Sequence, residues 1–92
     1  MSKPTCRTDK YGNKIWKLNG ELHRLDGPAI EFFDGTKEWY LNGVMHREDG
    51  PAIELSNGRK IWYLHGKELS EEEHLELVSK ENQIKILFRT KE

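Results

Sequence analysis

Two histidine–aspartate pairs are the residues of this chain whose types and spacing could do chemistry. His23 lies three residues before Asp26, and His46 lies three residues before Asp49. An imidazole and a carboxylate this close together could act as a general base or as metal ligands, as in a small metal-dependent hydrolase. The pair recurs in two similar segments, however, whereas an active site is seldom duplicated within one short chain. We therefore interpret all four side chains as structural fasteners of loops, in which the aspartates accept hydrogen bonds from nearby backbone amides.

The other reactive residue types form no recognisable site in the sequence. Cys6 is the only cysteine, which excludes an intrachain disulfide and a cysteine-based metal cluster. It occupies a position that holds alanine in two similar segments, so we interpret it as a small buried or edge residue and not as a nucleophile. The glycines mark turns and form no phosphate-binding loop. The sequence therefore predicts no catalytic residue, no metal site and no cofactor.

The composition is typical of one small domain with a thin core, over residues 1–92. Hydrophobic residues make up 35% of the chain and charged residues 34%, with a formal net charge of −1. A chain of this size cannot enclose a large active site. The near-zero net charge disfavours nucleic acid as a partner. Bases are concentrated near the N-terminus, where they could bind anionic lipid: Lys3, Arg7, Lys10, Lys14 and Lys17.

The sequence contains no recognisable targeting segment. Its first residues lack the apolar run of a secretory signal. No apolar run reaches the roughly 18 residues that a membrane-spanning helix needs. We therefore expect a cytoplasmic protein.

An internal repeat of 23 residues organises the elements that must position these side chains. Tryptophan, leucine and glycine recur at this period, and the segments 23–31 and 46–54 differ at one position. The repeat divides residues 5–69 into a partial unit 5–13, full units 14–36 and 37–59, and a partial unit 60–69. A C-terminal helix and tail follow over residues 70–92. The repeated tryptophans are predicted to be structural: Trp16, Trp39 and Trp62.

Each unit is predicted to form a β-hairpin. Asp34-Gly35 is a residue pair that a two-residue type I′ turn requires, and Asn57-Gly58 repeats it one unit later. An Asn-Gly or His-Gly pair marks the next reversal of each unit. With a two-residue turn, Ile30 lies opposite Trp39, so tryptophans and these isoleucines would share one core face. The sequence therefore predicts a mainly β fold, an antiparallel meander of about six strands.

The opposite face of this sheet is the predicted binding surface. Aromatic and aliphatic side chains lie there in a row with charged residues, which is typical of a protein-binding patch. The residues are Tyr40, Tyr63, Ile15, Ile61, Lys17, Glu31 and Glu54. In the alternative arrangement, the C-terminal helix packs on this face and covers it.

The segment after the repeats is predicted to begin a helix. Ser70 and Glu73 have the spacing of a capping box, and the acids that follow Ser70 suit a helix N-terminus. We predict a short helix over Glu71–Lys80 that docks through Leu75 and Val78. Residues Gln83–Thr90 alternate in a way that favours a closing strand over a longer helix.

The repeat resembles the MORN repeat family, in a divergent subtype similar to arrays in phage and large-virus proteins. The shared features are the 23-residue period, a tryptophan followed by Asn-Gly, a histidine three residues after that glycine, and an Asn-Gly β-turn. They are carried here by Trp39, Asn42-Gly43, His46 and Asn57-Gly58. The resemblance covers residues 5–69 and implies an elongated sheet of hairpins used for scaffolding, dimerisation or lipid contact. It implies no catalytic residue.

Together these observations favour a non-enzymatic protein–protein interaction module that binds another protein or a second copy of itself. Size, surface and resemblance suggest, by analogy, a phage or viral accessory inhibitor that occludes a host protein. A membrane-surface adaptor and a small metal-dependent hydrolase using the His/Asp loops are the alternatives.

Overall fold

Short antiparallel strands followed by one helix make up the chain, which confirms the predicted mainly β fold. The computed structural model describes residues 3–90, and the side chains of residues 3–83. The elements are β1 (Thr5–Thr8), β2 (Lys14–Leu18), β3 (Glu21–Leu22), β4 (Ile30–Glu31), β5 (Lys37–Glu38), β6 (Tyr40–Leu41), β7 (Val44–Met45), β8 (Ile53–Glu54), β9 (Lys60–Leu64), β10 (Lys67–Leu69) and α1 (Glu71–Thr90).

The strands follow one another across a sheet in the order β1-β2-β4-β5-β8-β9-β10, and β3 pairs with the second half of β2. The long strand of each unit forks at its tryptophan. The Trp16 amide donates a hydrogen bond to the Ala29 carbonyl at 2.8 Å, and the Trp16 carbonyl accepts one from the His23 amide at 3.1 Å. Trp39 makes the equivalent two bonds in the next unit. Each loop from the histidine to the alanine is therefore bound at both of its ends to the backbone of one tryptophan.

The hairpin turns are one residue longer than predicted. The Phe32 amide donates to the Thr36 carbonyl and the Gly35 amide donates to the Phe32 carbonyl, with Gly35 at φ 95°. This pattern is a three-residue loop with a glycine bulge, which recurs at Gly12 and Gly58. The type I′ turns predicted at Asp34-Gly35 and Asn57-Gly58 are therefore wrong, and Ile30 pairs with Glu38 instead of Trp39.

The longer turn places tryptophans and isoleucines on opposite faces of the sheet. Ile15 pairs with Ile30, and Ile53 pairs with Ile61, so the isoleucines share a face. The predicted core face that combined tryptophan with isoleucine is wrong, because a shift of one residue moves the side chains of one strand to the other face. We call one side the isoleucine–tyrosine face (Ile15, Ile30, Tyr40, Ile53, Ile61 and Tyr63) and the other the tryptophan face (Trp16, Trp39 and Trp62).

The second reversal of each unit lies at the Asn-Gly or His-Gly pair, as the sequence predicts, and the structure shows that it is a two-residue hairpin. Asn19, Asn42 and His65 have φ values of 53°, 51° and 51°, and each is followed by a glycine with positive φ. Positive φ at both central residues defines a type I′ turn. Asparagine and histidine are among the few non-glycine residues that adopt this conformation readily.

The core is thin, and its most buried side chains are small or polar. Ala29 and Ala52 are fully buried, and His23 and His46 are 8% and 7% exposed. The tryptophans are half-buried. The molecule measures 17 Å along its shortest axis, as expected for a sheet that is mostly one layer thick.

The C-terminal segment is helical through Thr90. The predicted helix over Glu71–Lys80 is therefore too short, and the predicted closing strand over Gln83–Thr90 is wrong. No glycine or proline interrupts the segment, so nothing in it breaks the helix. α1 packs against β9 and β10 at the end of the sheet. It docks through His74, which is 4% exposed, whereas Leu75, predicted to dock, is 67% exposed.

Candidate protein-binding surface

Each full unit places an arginine over its tryptophan. The Cζ atom of Arg24 lies 3.8 Å from the centre of the Trp16 ring, and Arg47 lies at the same distance from Trp39. A guanidinium at this separation contributes a cation–π interaction of about 0.5–2 kcal/mol. Arg24 and Arg47 therefore cover Trp16 and Trp39 on the tryptophan face, where a second apolar layer would otherwise be needed.

The same arginines hold the loop that follows them. Arg24 Nε donates to Asp26 at 3.1 Å, and Arg24 Nη1 donates to the Pro28 carbonyl and to Glu31, each at 3.1 Å. Arg47 binds the equivalent three acceptors, Asp49, Pro51 and Glu54, at 2.9, 3.0 and 2.9 Å. Each arginine thus joins its loop to the strand that carries the glutamate.

Each arginine packs closely against a glycine of its own loop. A Cβ atom added to Gly27 would lie 2.8 Å from Arg24 Cζ, and one added to Gly50 would lie 2.8 Å from Arg47 Cζ. Real Cβ atoms do not approach other atoms this closely, so a side chain there would displace the guanidinium. The repeated Asp-Gly-Pro segment is therefore shaped around the arginine.

The repeated histidines link each unit to the next. Nδ1 of His23 accepts a hydrogen bond from the Asn42 amide at 2.9 Å, and Nδ1 of His46 accepts one from the His65 amide at 2.9 Å. Both acceptors hold the first residue of a type I′ turn one unit further along. These bonds require an unprotonated Nδ1, so each imidazole carries its proton on Nε2 when neutral.

The structure does not bring the histidine and aspartate of a pair together. His23 binds the backbone of the next unit, whereas Asp26 binds Arg24. The prediction that the aspartates accept hydrogen bonds from backbone amides is wrong, because the arginine two residues earlier supplies a charged donor. Within the described residues, no group of three or more His, Cys, Asp and Glu side chains could hold a metal ion.

The tryptophan face contains an open groove between the two histidine loops. It encloses about 720 Å³ and is lined by both loops and by Trp39. Among the charged side chains that line it, Arg24 binds Asp26 and Arg47 binds Asp49. The groove therefore offers a ligand mainly charges that are already paired.

Most of the predicted binding residues lie together on the isoleucine–tyrosine face. Ile15 pairs with Arg7 and Ile30, and Ile61 and Tyr63 alternate along β9, so they share this face with Tyr40 and Lys17. Glu31 and Glu54 lie on the tryptophan face, where each binds an arginine. Ile30 and Ile53 extend the row of isoleucines. All six residues that define the face are half-buried.

Tyr40 and Glu38 form the polar part of this face. The Tyr40 hydroxyl donates a hydrogen bond to Glu38 Oε1 at 2.9 Å. Burial, and then the hydrogen bond to Glu38, raise the pKa of Tyr40 to about 12. Tyr40 is therefore a neutral hydrogen-bond donor at physiological pH, and it keeps one glutamate of the face in place.

A recess lies at the N-terminal end of the isoleucine–tyrosine face. It encloses about 200 Å³ and is lined by Thr5, Arg7, Ile15 and Lys17. In the part of the chain whose side chains are described, neither Arg7 nor Lys17 forms an ion pair. The recess therefore combines an apolar floor with two available positive charges. Cys6, on the same strand, is exposed at the sheet edge.

Arg24 and Arg47 are the important residues that the sequence analysis did not identify. The signal was present, because each follows the histidine of its unit at the same repeat position. Histidine is the usual acid–base and metal residue, so the repeated loops were interpreted from their histidines and aspartates alone. A recurring Arg beside a recurring Trp is equally typical of a stacked pair.

Comparisons with known proteins identify no relative for this chain. No family model, no curated protein and no solved structure matches it. In residues 3–90, no helix is long and apolar enough to cross a membrane.

Proposed function

We propose that this protein is a non-enzymatic protein-binding module that presents its isoleucine–tyrosine face to another protein. The observation that carries the proposal is the row of four isoleucines and two tyrosines, half-buried on one side of a sheet that is mostly one layer thick. A single layer cannot cover both of its own faces. A continuous row of apolar and aromatic side chains with charges at its margin is typical of a protein interface.

The wider identity that we propose follows the sequence. The array is a divergent MORN-like repeat that acts in the cytosol, as a phage or viral accessory protein that occludes a host protein. The pairing of the recurring charged side chains supports a structural array over a catalytic one. The Arg24 and Arg47 clusters hold loops, and the two histidines hold turns.

Two double variants on the same strands test which face binds. Ile15→Thr with Ile61→Thr alters the isoleucine–tyrosine face, and Lys14→Thr with Lys60→Thr alters the opposite face at the neighbouring residues. Threonine keeps the β-branched shape that strands favour, so both variants are expected to fold. Circular dichroism melts check the folding.

Affinity capture from the producing cells identifies a partner, which is then purified and titrated against each variant by calorimetry. We expect the isoleucine variant to bind at least about tenfold more weakly and the lysine variant to bind within about twofold of the parent. A partner that binds the isoleucine variant as tightly as the parent would contradict the proposal.

The membrane-surface alternative is less favoured by the positions of the lysines. Lys14 and Lys17 lie on the same strand with an odd spacing, so their side chains leave opposite faces of the sheet. They cannot both rest on one flat anionic surface. Flotation with phosphatidylserine vesicles at low and at physiological salt is expected to show no bound protein, and binding at both would favour the adaptor.

A further inference from the structure

The first strand leaves one edge of the sheet unpaired within the described residues. β1 pairs with β2 on one side, and it is the first strand of the sheet. Asp9, which continues β1, directs its amide inward to the Asn13 carbonyl at 3.0 Å. Since backbone groups alternate along a strand, Arg7 and Thr5 also bond inward, and the amides and carbonyls of Cys6 and Thr8 point outward.

The repeat shows what this edge binds when it lies inside the array. One period later, Ala29 and Glu31 occupy the positions of Cys6 and Thr8. Ala29 accepts a hydrogen bond from the Trp16 amide, and Glu31 pairs with Lys14, so both bind the preceding strand β2. The edge at β1 is therefore built to receive an antiparallel strand with an aromatic residue. Cys6, like the fully buried Ala29, is small enough to leave room for that ring.

The charge at this edge indicates which strand would bind. Arg7 and Lys17 line the recess next to β1, and Lys3 and Lys10 flank the strand. A second copy pairing through its own β1 would bring two positively charged edges together. At the far end of the sheet, α1 packs against β9 and β10, where a second copy would have to join head to tail. These features favour a negatively charged segment of a different protein.

We propose that β1 binds an extended, acidic segment of another protein as an additional antiparallel strand. An aromatic side chain of that segment lies opposite Cys6, and an acidic side chain reaches Arg7 and Lys17 at the recess. Backbone hydrogen bonds to Cys6 and Thr8 provide affinity, and the aromatic and acidic positions provide selectivity. This inference rests on the proposed protein-binding function and names the chemistry of the partner.

Two synthetic peptides test the charge preference. The first is Glu-Ile-Trp-Glu-Leu, which is the Lys14–Leu18 strand with both lysines changed to glutamate and a fluorescent label added. The second is the unaltered Lys-Ile-Trp-Lys-Leu peptide with the same label. We expect the acidic peptide to bind the full chain at least about tenfold more tightly at low salt, with amide NMR shifts centred on Cys6 and Thr8. The difference should decrease as salt is added.

Two variants at Thr8 test the strand pairing. Thr8→Pro removes an outward amide donor, and proline is tolerated where the amide of an edge strand faces solvent. Thr8→Val is the matched control, because valine keeps both the amide and the β-branched shape. We expect Thr8→Pro to weaken binding of the acidic peptide at least about tenfold and Thr8→Val to change it less than about twofold.

Equal binding of the two peptides, or full binding by Thr8→Pro, would overturn the inference. Sedimentation that shows a dimer dissociated by Thr8→Pro would also overturn it, because the occupant would then be a second copy. A partner that is lost with the Ile15→Thr and Ile61→Thr double variant but retained by Thr8→Pro would leave the proposed function standing and refute the edge site alone.

Discussion

At the scale of single residues, Arg47 combines ring stacking, ion pairing and a backbone hydrogen bond in one side chain. It stacks on Trp39 and donates to Asp49, Glu54 and a backbone carbonyl. A lysine keeps the positive charge but loses the planar face and the fork of donors. The guanidinium geometry, rather than the charge alone, should therefore determine the stability of the loop.

Arg47→Lys is expected to lower the free energy of unfolding by about 1–2 kcal/mol, because it loses the stacked and forked contacts. Thermal denaturation followed by circular dichroism measures the change, expected to be a fall of several degrees in Tm. Arg59→Lys is the control, since Arg59 is exposed and lies outside the loops. Equal melting of the two variants would show that the cluster does not hold the loop.

His46→Ala tests whether the recurring histidine is a fastener. The change leaves the His65 amide without its acceptor in a type I′ turn, which should lower Tm by an amount that corresponds to about 1–3 kcal/mol. Adding zinc to the parent protein is expected to leave its Tm unchanged. A clear zinc-dependent rise in the parent, absent from the variant, would instead assign His46 to a metal site.

Tyr40 gives the isoleucine–tyrosine face a signature at alkaline pH. Its folded pKa of about 12 is above the ordinary tyrosine value, so the neutral form is favoured by folding. The raised pKa of Tyr40 therefore adds to the free energy of unfolding. This stabilisation is complete below about pH 10 and is lost as the pH rises toward 12. In a pH titration followed by tyrosinate absorbance, one tyrosine should ionise at a higher pH than an ordinary tyrosine, and this step should disappear in Tyr40→Phe. If the step remains in Tyr40→Phe, another tyrosine causes it.

The structural role of the repeated residues could be predicted from the sequence better than the residues that they bind. The recurrence of histidine correctly indicated a repeated role, and both rings do bind at equivalent places. Their partners lie 19 residues away, on the next unit, and depend on how the units pair side by side. The aspartates could not be assigned to arginine from spacing alone, because Asp before Gly is equally suited to a backbone turn.

At the scale of elements, the length of a turn determines which residues share a face. Asp-Gly and Asn-Gly suit both a two-residue type I′ turn and a three-residue loop with a glycine bulge. The sequence does not distinguish these two turn types at Asp34-Gly35. Because the bulged loop is one residue longer, Ile30 lies opposite Glu38 and not opposite Trp39. The strands and reversals were therefore predictable, whereas the register across the bulge was not.

The start of the helix was predictable because capping is local. The Ser70 amide donates to Glu73 at 2.9 Å, and the Ser70 hydroxyl accepts from the Glu73 amide at 3.1 Å. The end of the helix was not predictable, because a short run that alternates apolar and polar residues fits both a strand and a helix. The docking residue, His74, binds the carbonyl of Arg47 in the unit 37–59, a contact that sequence spacing does not reveal.

Glu73 should make the helix sensitive to acid. The hydrogen bond from the Ser70 amide, and then that with the Ser70 hydroxyl, lower the pKa of Glu73. The ionised Glu73 carboxylate therefore stabilises the folded chain at pH values above its unfolded pKa of about 4.3. This stabilisation is lost as the pH falls through the lower pKa of the folded state. Helical circular dichroism should therefore decrease in acid by less in Glu73→Gln than in the neighbouring control Glu72→Gln. Equal acid-induced losses in the two variants would exclude the capping carboxylate as their cause.

At the scale of the whole molecule, the array holds together through contacts between neighbouring units. Ser56 donates its amide to the Thr36 hydroxyl at 3.1 Å, and His46 accepts from His65, so turns at both ends of a unit are tied to the next. Such arrays depend on the interface between units because each unit alone buries little. This architecture could be predicted from the repeat period. The residues exposed on each face could not be predicted without the register of the strands.

The accessibility of isoleucine methyl groups tests the central claim most directly. In a methyl NMR spectrum of the free protein, a soluble paramagnetic agent should broaden the signals of Ile15, Ile30, Ile53 and Ile61. The fully buried methyl groups of Ala29 and Ala52 provide the internal control and should remain sharp. Isoleucine signals as protected as those of the alanines would contradict the account, because another layer would then cover the face that we propose binds a partner.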